Sequence, residues 1–331
     1  MKVKQFRRAT LVAVSLLAVT LVVEPNQPIM SEHATLTAHA QATVKIQDLH
    51  GQQLVPFQPQ RVVALDNRSF ETLSDWGIPL VAAPKDIMPA DSPYLEDDSV
   101  ANIGNHREPN LERLAAANPD LVIVGQRFAA YYDDIKALVP QATVIDFSWE
   151  VTNSDTLLNT FRQSTTSLGL IFDRQQEADA LIEQLDASIA AAKAAYKPQD
   201  RMLAVIVSGG EIGFSAPQTG RVWGPLYDLF DWQAGLVLDN SSANHLGDDI
   251  SVEAIAQSNP DWLLVLDRDA GIHSAQGATP AMDVIENALA LQNTQAIQKQ
   301  QIIYAPADTY TNESIQTYIE LFDSLTAAFS E

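Results

Sequence analysis

The same short unit occurs twice in this sequence. Residues 111–124 and residues 252–265 each contain a helical stretch with an early glutamate, an Asn-Pro-Asp turn and a run of apolar residues. Proline cannot continue a helix, and the residue before it favours extended backbone. The apolar run suits a strand that is covered on both faces. A chain with two copies of this unit is therefore expected to form two similar α/β lobes.

One long helix is predicted between the two units, at residues 175–196. Apolar residues such as Leu181, Leu185 and Ile189 recur there at helical spacing, and Pro198 ends the helix. At about 1.5 Å per residue the helix would span about 33 Å, roughly the width of a small domain. We expect it to join the lobes rigidly.

The predicted fold class is α/β, with two pseudo-symmetric lobes, mostly parallel sheets and one long rigid connecting helix. This follows because strands and helices alternate on both sides of that helix. We expect four segments, namely an export signal or N-terminal anchor at 1–42, an N-terminal lobe at 43–172, the connecting helix at 173–198 and a C-terminal lobe at 199–331.

The first 42 residues have the pattern of an export signal. Four basic residues precede an apolar run at residues 9–23, which is short for a membrane span. Small residues then allow cleavage after Ala40 or Ala42. This position is far from the apolar run, so an uncleaved N-terminal anchor is the alternative. Either form predicts an exported protein, in the periplasm or on the outer face of the cell membrane.

Composition excludes several classes of function. The formal net charge is −22, which argues against a nucleic-acid partner. The sequence has no cysteine, which excludes thiolate catalysis, Zn–Cys sites, iron–sulfur clusters and cysteine-linked lipid. We therefore do not expect a lipoprotein. No nucleophile elbow, phosphate loop or histidine-rich metal motif occurs in the sequence.

Two arginines follow the strands of the two repeated units. Arg127 and Arg268 stand just past equivalent predicted strands. In open α/β sheets, ligands bind beyond the carboxyl ends of the strands. Two guanidinium groups that face each other there would clamp an anion, because each donates in a planar fork and stays charged. The alternative is an ion pair with a neighbouring carboxylate such as Asp267 or Asp269.

Several motifs follow one another in the order and spacing of a known family. They are the segment from Gly209 to Arg221, Tyr227-Asp228, His245-Leu246-Gly247, and the second Asn-Pro-Asp unit with Arg268 at its end. Together they resemble the ferric-siderophore-binding proteins of ABC importers. Within that family they are most similar to the catecholate-binding branch, which takes enterobactin fragments or petrobactin. The similarity covers roughly residues 44–329.

This resemblance implies two lobes joined by one long helix, with little hinge motion. Such a protein captures an anionic ferric siderophore between its lobes and delivers it to an ABC permease. It would be a monomer, not an enzyme, with no cofactor of its own, and it would meet the membrane only through the permease or an uncleaved N-terminal segment. Two alternatives are a haem- or corrinoid-binding protein of the same fold and, in a different class, an extracellular hydrolase of siderophore esters.

The resemblance also implies roles for single residues. Arg127, Arg221 and Arg268 would surround the negatively charged catecholates. His245 and Tyr310 would complete the iron coordination of a siderophore that offers only two catechols. Ferric iron favours phenolate and catecholate oxygens, and imidazole also suits iron. A ferric tris-catecholate carries roughly three negative charges, which three cations would match. The alternatives are an ordinary loop histidine and a tyrosine bonded to backbone.

Glu112 and Glu253 are the matching acids of the two repeated units. In importer-binding proteins generally, one glutamate on each lobe docks onto arginines of the permease. Two equivalent carboxylates on a pseudo-symmetric surface suit a two-fold partner. The alternative is that each is simply an acid in a first helical turn, where the helix dipole favours it.

The sequence departs from the family in three places. The lipobox cysteine of many relatives is missing. Residues 311–314 read Thr-Asn-Glu-Ser, where relatives are often glycine-rich. Asn67 and Arg68 replace a small, uncharged stretch, and Arg68 is expected either as a fourth cation at the rim of the site or as a surface charge.

Overall fold

The computed structural model describes residues 42–239, 241–271 and 277–331. The predicted export signal lies outside this part of the chain, except for Ala42. Within the described residues, no helix is both long enough and apolar enough to cross a membrane.

Strands and helices alternate along most of the described chain. The strands are β1 (Thr43–Asp48), β2 (Gly51–Pro56), β3 (Val62–Ala64), β4 (Leu80–Ala83), β5 (Ala101–Asn102), β6 (Leu121–Val124), β7 (Thr143–Asp146), β8 (Arg201–Ser208), β9 (Glu211–Ser215), β10 (Gln233–Ala234), β11 (Trp262–Asp267) and β12 (Ile302–Tyr304). The helices are α1 (Phe70–Asp75), α2 (Pro93–Glu96), α3 (Leu111–Ala116), α4 (Tyr132–Leu138), α5 (Ser154–Phe172), α6 (Gln175–Ala195), α7 (Gly224–Phe230), α8 (Val252–Ser258), α9 (Ala281–Asn287), α10 (Gln295–Gln298) and α11 (Ile315–Ser330).

Each lobe is built on one sheet. In the N-terminal lobe the strands lie in the order β5-β4-β3-β6-β7, all parallel. In the C-terminal lobe the order is β10-β8-β11-β12, also parallel, and β9 pairs antiparallel with β8. Strands β1 and β2 form a separate antiparallel hairpin. The predicted α/β class, with two lobes and mostly parallel sheets, is confirmed.

The strands of the repeated units, β6 and β11, lie inside their sheets and are covered on both faces. In β6, Leu121 and Ile123 pack into one apolar cluster, whereas Val122 and Val124 pack into another. Strand β11 divides its side chains between two clusters in the same way. Successive side chains of a strand point to opposite faces, so an unbroken apolar run fits this position.

The asparagine of each repeated unit differs from the prediction. Asn118 and Asn259 both have a φ of 45°, in the left-handed region, and not the extended backbone that was predicted. Asparagine tolerates this region, and helices often end there. The aspartate two residues later anchors the neighbouring strand. Asp120 accepts hydrogen bonds from backbone N–H groups just before β3, and Asp261 accepts one from the first N–H group of β8.

The long predicted helix is present as α6, which ends at Ala195. It begins at Gln175, because Asp173 closes the preceding helix in a left-handed conformation with a φ of 58°. Its apolar face, including Leu185 and Ile189, packs in the core of the C-terminal lobe together with residues of α11.

Helix α5 runs beside α6 and reaches the cores of both lobes. Leu157 and Phe161 lie in the core of the C-terminal lobe, whereas Leu168 and Phe172 lie in that of the N-terminal lobe. Helix α5 therefore joins the two lobes. The N-terminal lobe was expected to extend to residue 172. The first half of α5 precedes this residue, yet it packs in the core of the C-terminal lobe.

Residues 308–314, which follow β12, pass between the lobes, and we call them the inter-lobe segment. The Nδ2 atom of Asn67 donates to the backbone carbonyls of Thr311 and Asn312, at 3.0 and 2.9 Å. Asn312 in turn donates from its side chain to Glu71 of α1 at 2.8 Å. Hydrogen bonds thus tie the inter-lobe segment, which follows the last strand of the C-terminal lobe, to the N-terminal lobe.

Candidate functional site: an arginine cluster between the lobes

Four arginines converge where the lobes meet, and we call them the arginine cluster. Arg68 lies in a 3-10 turn after β3, Arg127 in a 3-10 turn after β6, and Arg268 directly after β11. Arg221 lies in the loop between β9 and α7. Arg68, Arg127 and Arg268 each follow a parallel strand, so each lies at the carboxyl edge of its sheet.

Tyr310 lies among the arginines. The Cζ atoms of Arg221 and Arg268 lie 4.9 and 5.2 Å from the centroid of its ring. Arg127, from the other lobe, donates from Nη2 to the backbone carbonyl of Tyr310 at 3.2 Å. Guanidinium groups are attracted to aromatic faces at such distances. The structure therefore brings together the three arginines and the tyrosine that the resemblance singled out.

His245 joins the same group from an exposed loop. Its Nδ1 atom lies 3.1 Å from the hydroxyl oxygen of Tyr310 and 3.3 Å from Nη1 of Arg221. An arginine nitrogen can only donate, so Nδ1 acts as an acceptor. Partial burial, and then the positive charges of Arg221 and Arg268, lower the pKa of His245 below its usual value. The imidazole is therefore neutral at neutral pH, with a lone pair that a metal ion could use.

Arg127 and Arg268 differ in their partners. Arg127 donates to the backbone carbonyls of Tyr310 and Thr311. Burial lowers the pKa of Arg127 although nearby Glu313 opposes this shift. Arg268 donates from Nη1 to Ser208 at 3.0 Å and pairs with Asp269 at 3.4 Å. The ion pair considered as an alternative for Arg268 is thus present, yet the guanidinium still faces Tyr310.

Glu313 is the residue of the site that sequence reasoning missed. Its carboxylate pairs with Arg68 at 3.1 Å, pairs closely with Arg221, and accepts a hydrogen bond from Gln126 at 3.1 Å. Burial acts to raise the pKa of Glu313, but Arg221, Arg68 and Arg127 lower it to about 2. This carboxylate therefore stays ionised inside the protein.

The backbone at Glu313 is unusual as well. Its φ of 51° lies in the left-handed region, which glycine adopts far more readily than glutamate. The sequence did contain a signal for this, since the segment after Tyr310 departs from the glycine-rich pattern of relatives. A charged residue held in a conformation that suits glycine indicates that its side-chain contacts compensate for the strain.

Arg68 is a fourth cation of the site, as one expectation had it, but the expected positions at the rim and on the surface were both wrong. It is neither at the rim nor on the surface, because only 7% of its side chain is exposed. The 3-10 turn after β3 places it beneath the inter-lobe segment, against Glu313. Its Nε and Nη1 atoms have no hydrogen-bond partner among the described residues.

Glu112 and Glu253 occupy matching places in the two lobes. Each lies in the first turn of its helix, α3 or α8, and each is exposed. The helices begin in the same way, with Asn110 and Ser251 as capping residues whose side chains accept a backbone hydrogen bond. This symmetry agrees with both earlier interpretations, and a docking role stays a prediction.

An acidic cavity of about 610 Å³ adjoins the arginine cluster. It lies between residues 89–91 and the C-terminal lobe, and its lining includes five carboxylates, those of Asp91, Asp267, Asp269, Asp308 and Glu320. Asp269 also pairs with Arg268, so the basic and acidic regions share a boundary. Across the described residues, no group of three or more His, Cys, Asp or Glu side chains could hold a metal ion.

Comparison with known proteins identifies the family. Residues 62–309 match the family described as periplasmic binding protein. The chain is 28% identical over 278 residues to the petrobactin-binding protein YclQ of Bacillus subtilis, which covers 83% of each protein. It is 27% identical over 282 residues to the ferric-anguibactin-binding protein FatB of Vibrio anguillarum, which covers 83% of this chain and 84% of that protein.

Solved structures of similar proteins agree with this family assignment. The crystal structure of YclQ has a TM-score of 0.74 at 23% identity and covers 88% of this chain and 100% of that one, which shows the fold. The periplasmic catecholate-siderophore binding protein VctP from Vibrio cholerae has a TM-score of 0.72 at 25% identity, over 87% of this chain and 99% of that one. The resemblance read from the sequence is therefore confirmed. The chain belongs to the periplasmic binding protein family, and it is an extracytoplasmic binding protein and not an enzyme.

Proposed function

We propose that the protein captures a ferric siderophore and delivers it to the permease of an ABC importer. The observation that carries this proposal is the convergence of cations from both lobes on one tyrosine. Arg127 belongs to the N-terminal lobe, whereas Arg221 and Arg268 belong to the C-terminal lobe. An anion bound among them would contact both lobes at once. The similar proteins named above bind petrobactin, ferric anguibactin and catecholate siderophores.

The class of siderophore that fits this site best is a catecholate. Catecholate oxygens are anionic acceptors, and guanidinium groups bind such acceptors with short, charge-assisted hydrogen bonds. The side chains of Arg221 and Arg268 are 18% and 23% exposed, so part of each guanidinium group is accessible to a ligand. Partial burial strengthens the attraction between these cations and an anionic chelate.

His245 and Tyr310 are proposed as iron ligands for a siderophore that leaves two coordination positions open. Their donor atoms, Nδ1 and the phenol oxygen, lie 3.1 Å apart. Ligands at about 2 Å from a metal ion occupy adjacent positions roughly 3 Å apart. Both donors could therefore bind one ferric ion at neighbouring positions. The iron is cargo here and arrives with its chelator.

The partner outside the site is proposed to be a two-fold permease. Glu112 and Glu253 would dock onto it, since they are exposed, equivalent in the two repeated units and carried on capped helices. We propose a monomer that works in the periplasm or on the outer face of the cell membrane. The 331 residues contain no cysteine to which a lipid could be attached, which supports a form that is not a lipoprotein.

Native mass spectrometry of the purified protein tests this function. The panel contains a ferric bis-catecholate, a ferric tris-catecholate, ferric citrate and haem. The proposal predicts a mass increase that corresponds to one ferric catecholate. Retention of haem alone, with a strong Soret band, would replace this function by haem binding.

A further inference from the structure

We infer that Glu313 sets the charge of the ferric complex that the arginine cluster accepts, by cancelling part of the positive field of the arginines. This inference rests on the proposed function, because it concerns which ferric catecholate the same site prefers. It makes Glu313 a specificity-determining residue, although it is not assigned any contact with the ligand.

The contacts of Glu313 place its charge inside the cluster. One carboxylate oxygen pairs with Arg68 at 3.1 Å, and the other pairs with Arg221. Only 8% of the glutamate side chain is exposed, so water screens it weakly. The carboxylate therefore acts on whatever binds to Arg221 as a fixed negative charge one guanidinium group away.

The net charge of the site follows from the groups that touch. The cluster has four guanidinium groups, and two carboxylates pair with them, Glu313 with Arg68 and Arg221, and Asp269 with Arg268. Four positive and two negative charges leave a net charge of +2. The resemblance had implied three arginines around the ligand, and Glu313 was not predicted among the groups of the site.

The charge of Glu313 affects ferric complexes of different charge unequally. A ferric bis-catecholate carries roughly one negative charge and a tris-catecholate roughly three, because each catecholate contributes two negative charges against three on the iron. A buried carboxylate repels both complexes, and it repels the tris-catecholate more. Binding sites often gain specificity by a repulsive element of this sort. The loss of Glu313 should therefore raise the affinity for the tris-catecholate more than the affinity for the bis-catecholate.

A purely structural role for Glu313 makes a different prediction. If the carboxylate only braces Arg68 and Arg221, its loss would weaken the binding of both complexes by the same factor. If it acts through its charge, its loss would change the ratio of the two affinities. The ratio therefore separates the two roles.

The experiment measures the dissociation constants of a ferric bis-catecholate and a ferric tris-catecholate built from the same catechol, by quenching of tryptophan fluorescence. The ratio of the two constants in wild type is the reference value. Glu313→Gln keeps the shape and removes the charge, and it should shift the ratio toward the tris-catecholate by about 10-fold. Glu183→Gln, at an exposed position on α6, is the matched control and should leave the ratio unchanged.

Asp269→Asn provides a second variant in case Glu313→Gln does not fold. It removes the other paired carboxylate and should shift the ratio in the same direction. A ratio that stays within about 2-fold of wild type in the folded variants, with both complexes still bound, would overturn the inference and leave the proposed function intact. Failure of wild type to bind either complex would instead contradict the proposed function.

Discussion

The guanidinium group of Arg68 lies 3.1 Å from the carboxylate of Glu313, although the two residues are 245 positions apart and belong to different lobes. Glu313 also pairs with Arg221, so one buried carboxylate links a cation of the N-terminal lobe to a cation of the C-terminal lobe. The lobes are thus held together by charges at the edge of the site. This arrangement orients Arg221 before a ligand arrives, which agrees with the small hinge motion expected for the family.

Removal of Arg68 should destabilise the protein. In Arg68→Met the buried carboxylate of Glu313 loses one of its two ion pairs, and such a loss typically costs about 3 kcal/mol. The free energy of unfolding in urea gives this value directly. Arg162→Gln is the control, because the pair between Arg162 and Asp186 is exposed, with 37% and 54% of the side chains accessible, and should contribute less than about 1 kcal/mol. If both substitutions lower the free energy of unfolding by the same amount, the buried ion pair contributes no more to stability than the exposed one.

The stability that Glu313 provides should depend on pH in a defined window. Its pKa falls from 4.5 to about 2 on folding, because the nearby arginines outweigh the effect of burial. A depressed pKa stabilises the folded state above the unfolded pKa, and this stabilisation is lost as the pH falls through the folded pKa. The unfolding free energies of wild type and Glu313→Gln should therefore differ most near about pH 6 and converge between about pH 4.5 and pH 2, by about 3 kcal/mol.

Comparison with the variant isolates this effect from other groups. Burial raises the pKa of Asp66 to about 6, which makes the wild-type curve fall as the pH rises. Asp66 is present in both proteins, so its contribution cancels in the difference. A difference that does not change with pH would mean that folding leaves the pKa of Glu313 unchanged, which would contradict the lowering of this pKa by the arginines.

The sequence predicted those features of the site that depend on local pattern. The repeated units located two buried strands, and the ends of these strands placed Arg127 and Arg268 at one edge of each sheet. Glu313 and Arg68 could not be predicted in the same way. Their pairing depends on the inter-lobe segment, whose path is set by contacts between residues that are far apart in sequence, such as Asn67 with Thr311.

Some local expectations failed for a physical reason. The residue before proline usually takes extended backbone, yet Asn118 and Asn259 take left-handed backbone, because each lies where a helix ends. The role of α5 was also not foreseen. Only the packed structure shows that the two ends of this helix enter different cores.

The spectrum of a bound ferric bis-catecholate should report the two proposed iron ligands. Tyr310→Phe removes the phenol oxygen and His245→Ala removes the imidazole, so each should shift the charge-transfer band of the complex. Tyr94→Phe and His50→Ala are controls at positions whose side chains bond elsewhere, to the backbone of Ile78 and to Asp146. An unchanged band in both site variants would remove the proposal that the protein supplies iron ligands.

Reversal of the charges of Glu112 and Glu253 should slow the uptake of iron without changing the binding of the ferric complex. Glu112→Lys combined with Glu253→Lys changes two exposed carboxylates outside the arginine cluster, so the affinity for the ferric complex should be unchanged. Uptake of radiolabelled iron by cells that depend on this protein should slow by at least about 10-fold, because like charges would face the permease. Normal uptake by the double variant would contradict the docking role, and Glu183→Lys on α6 serves as the control for an exposed charge reversal.

The most direct test of the account is a fluorescence titration of wild type and of the double variant Arg127→Gln, Arg268→Gln with a ferric bis-catecholate. The five tryptophans of the chain provide the signal. The account predicts a dissociation constant of about 1 μM or tighter for wild type and binding about 100-fold weaker for the double variant, because it removes one ligand-facing cation from each lobe. Arg174→Gln, at an exposed position between α5 and α6, should bind like wild type. Equal affinities of wild type and the double variant would contradict the claim that these arginines form the binding site.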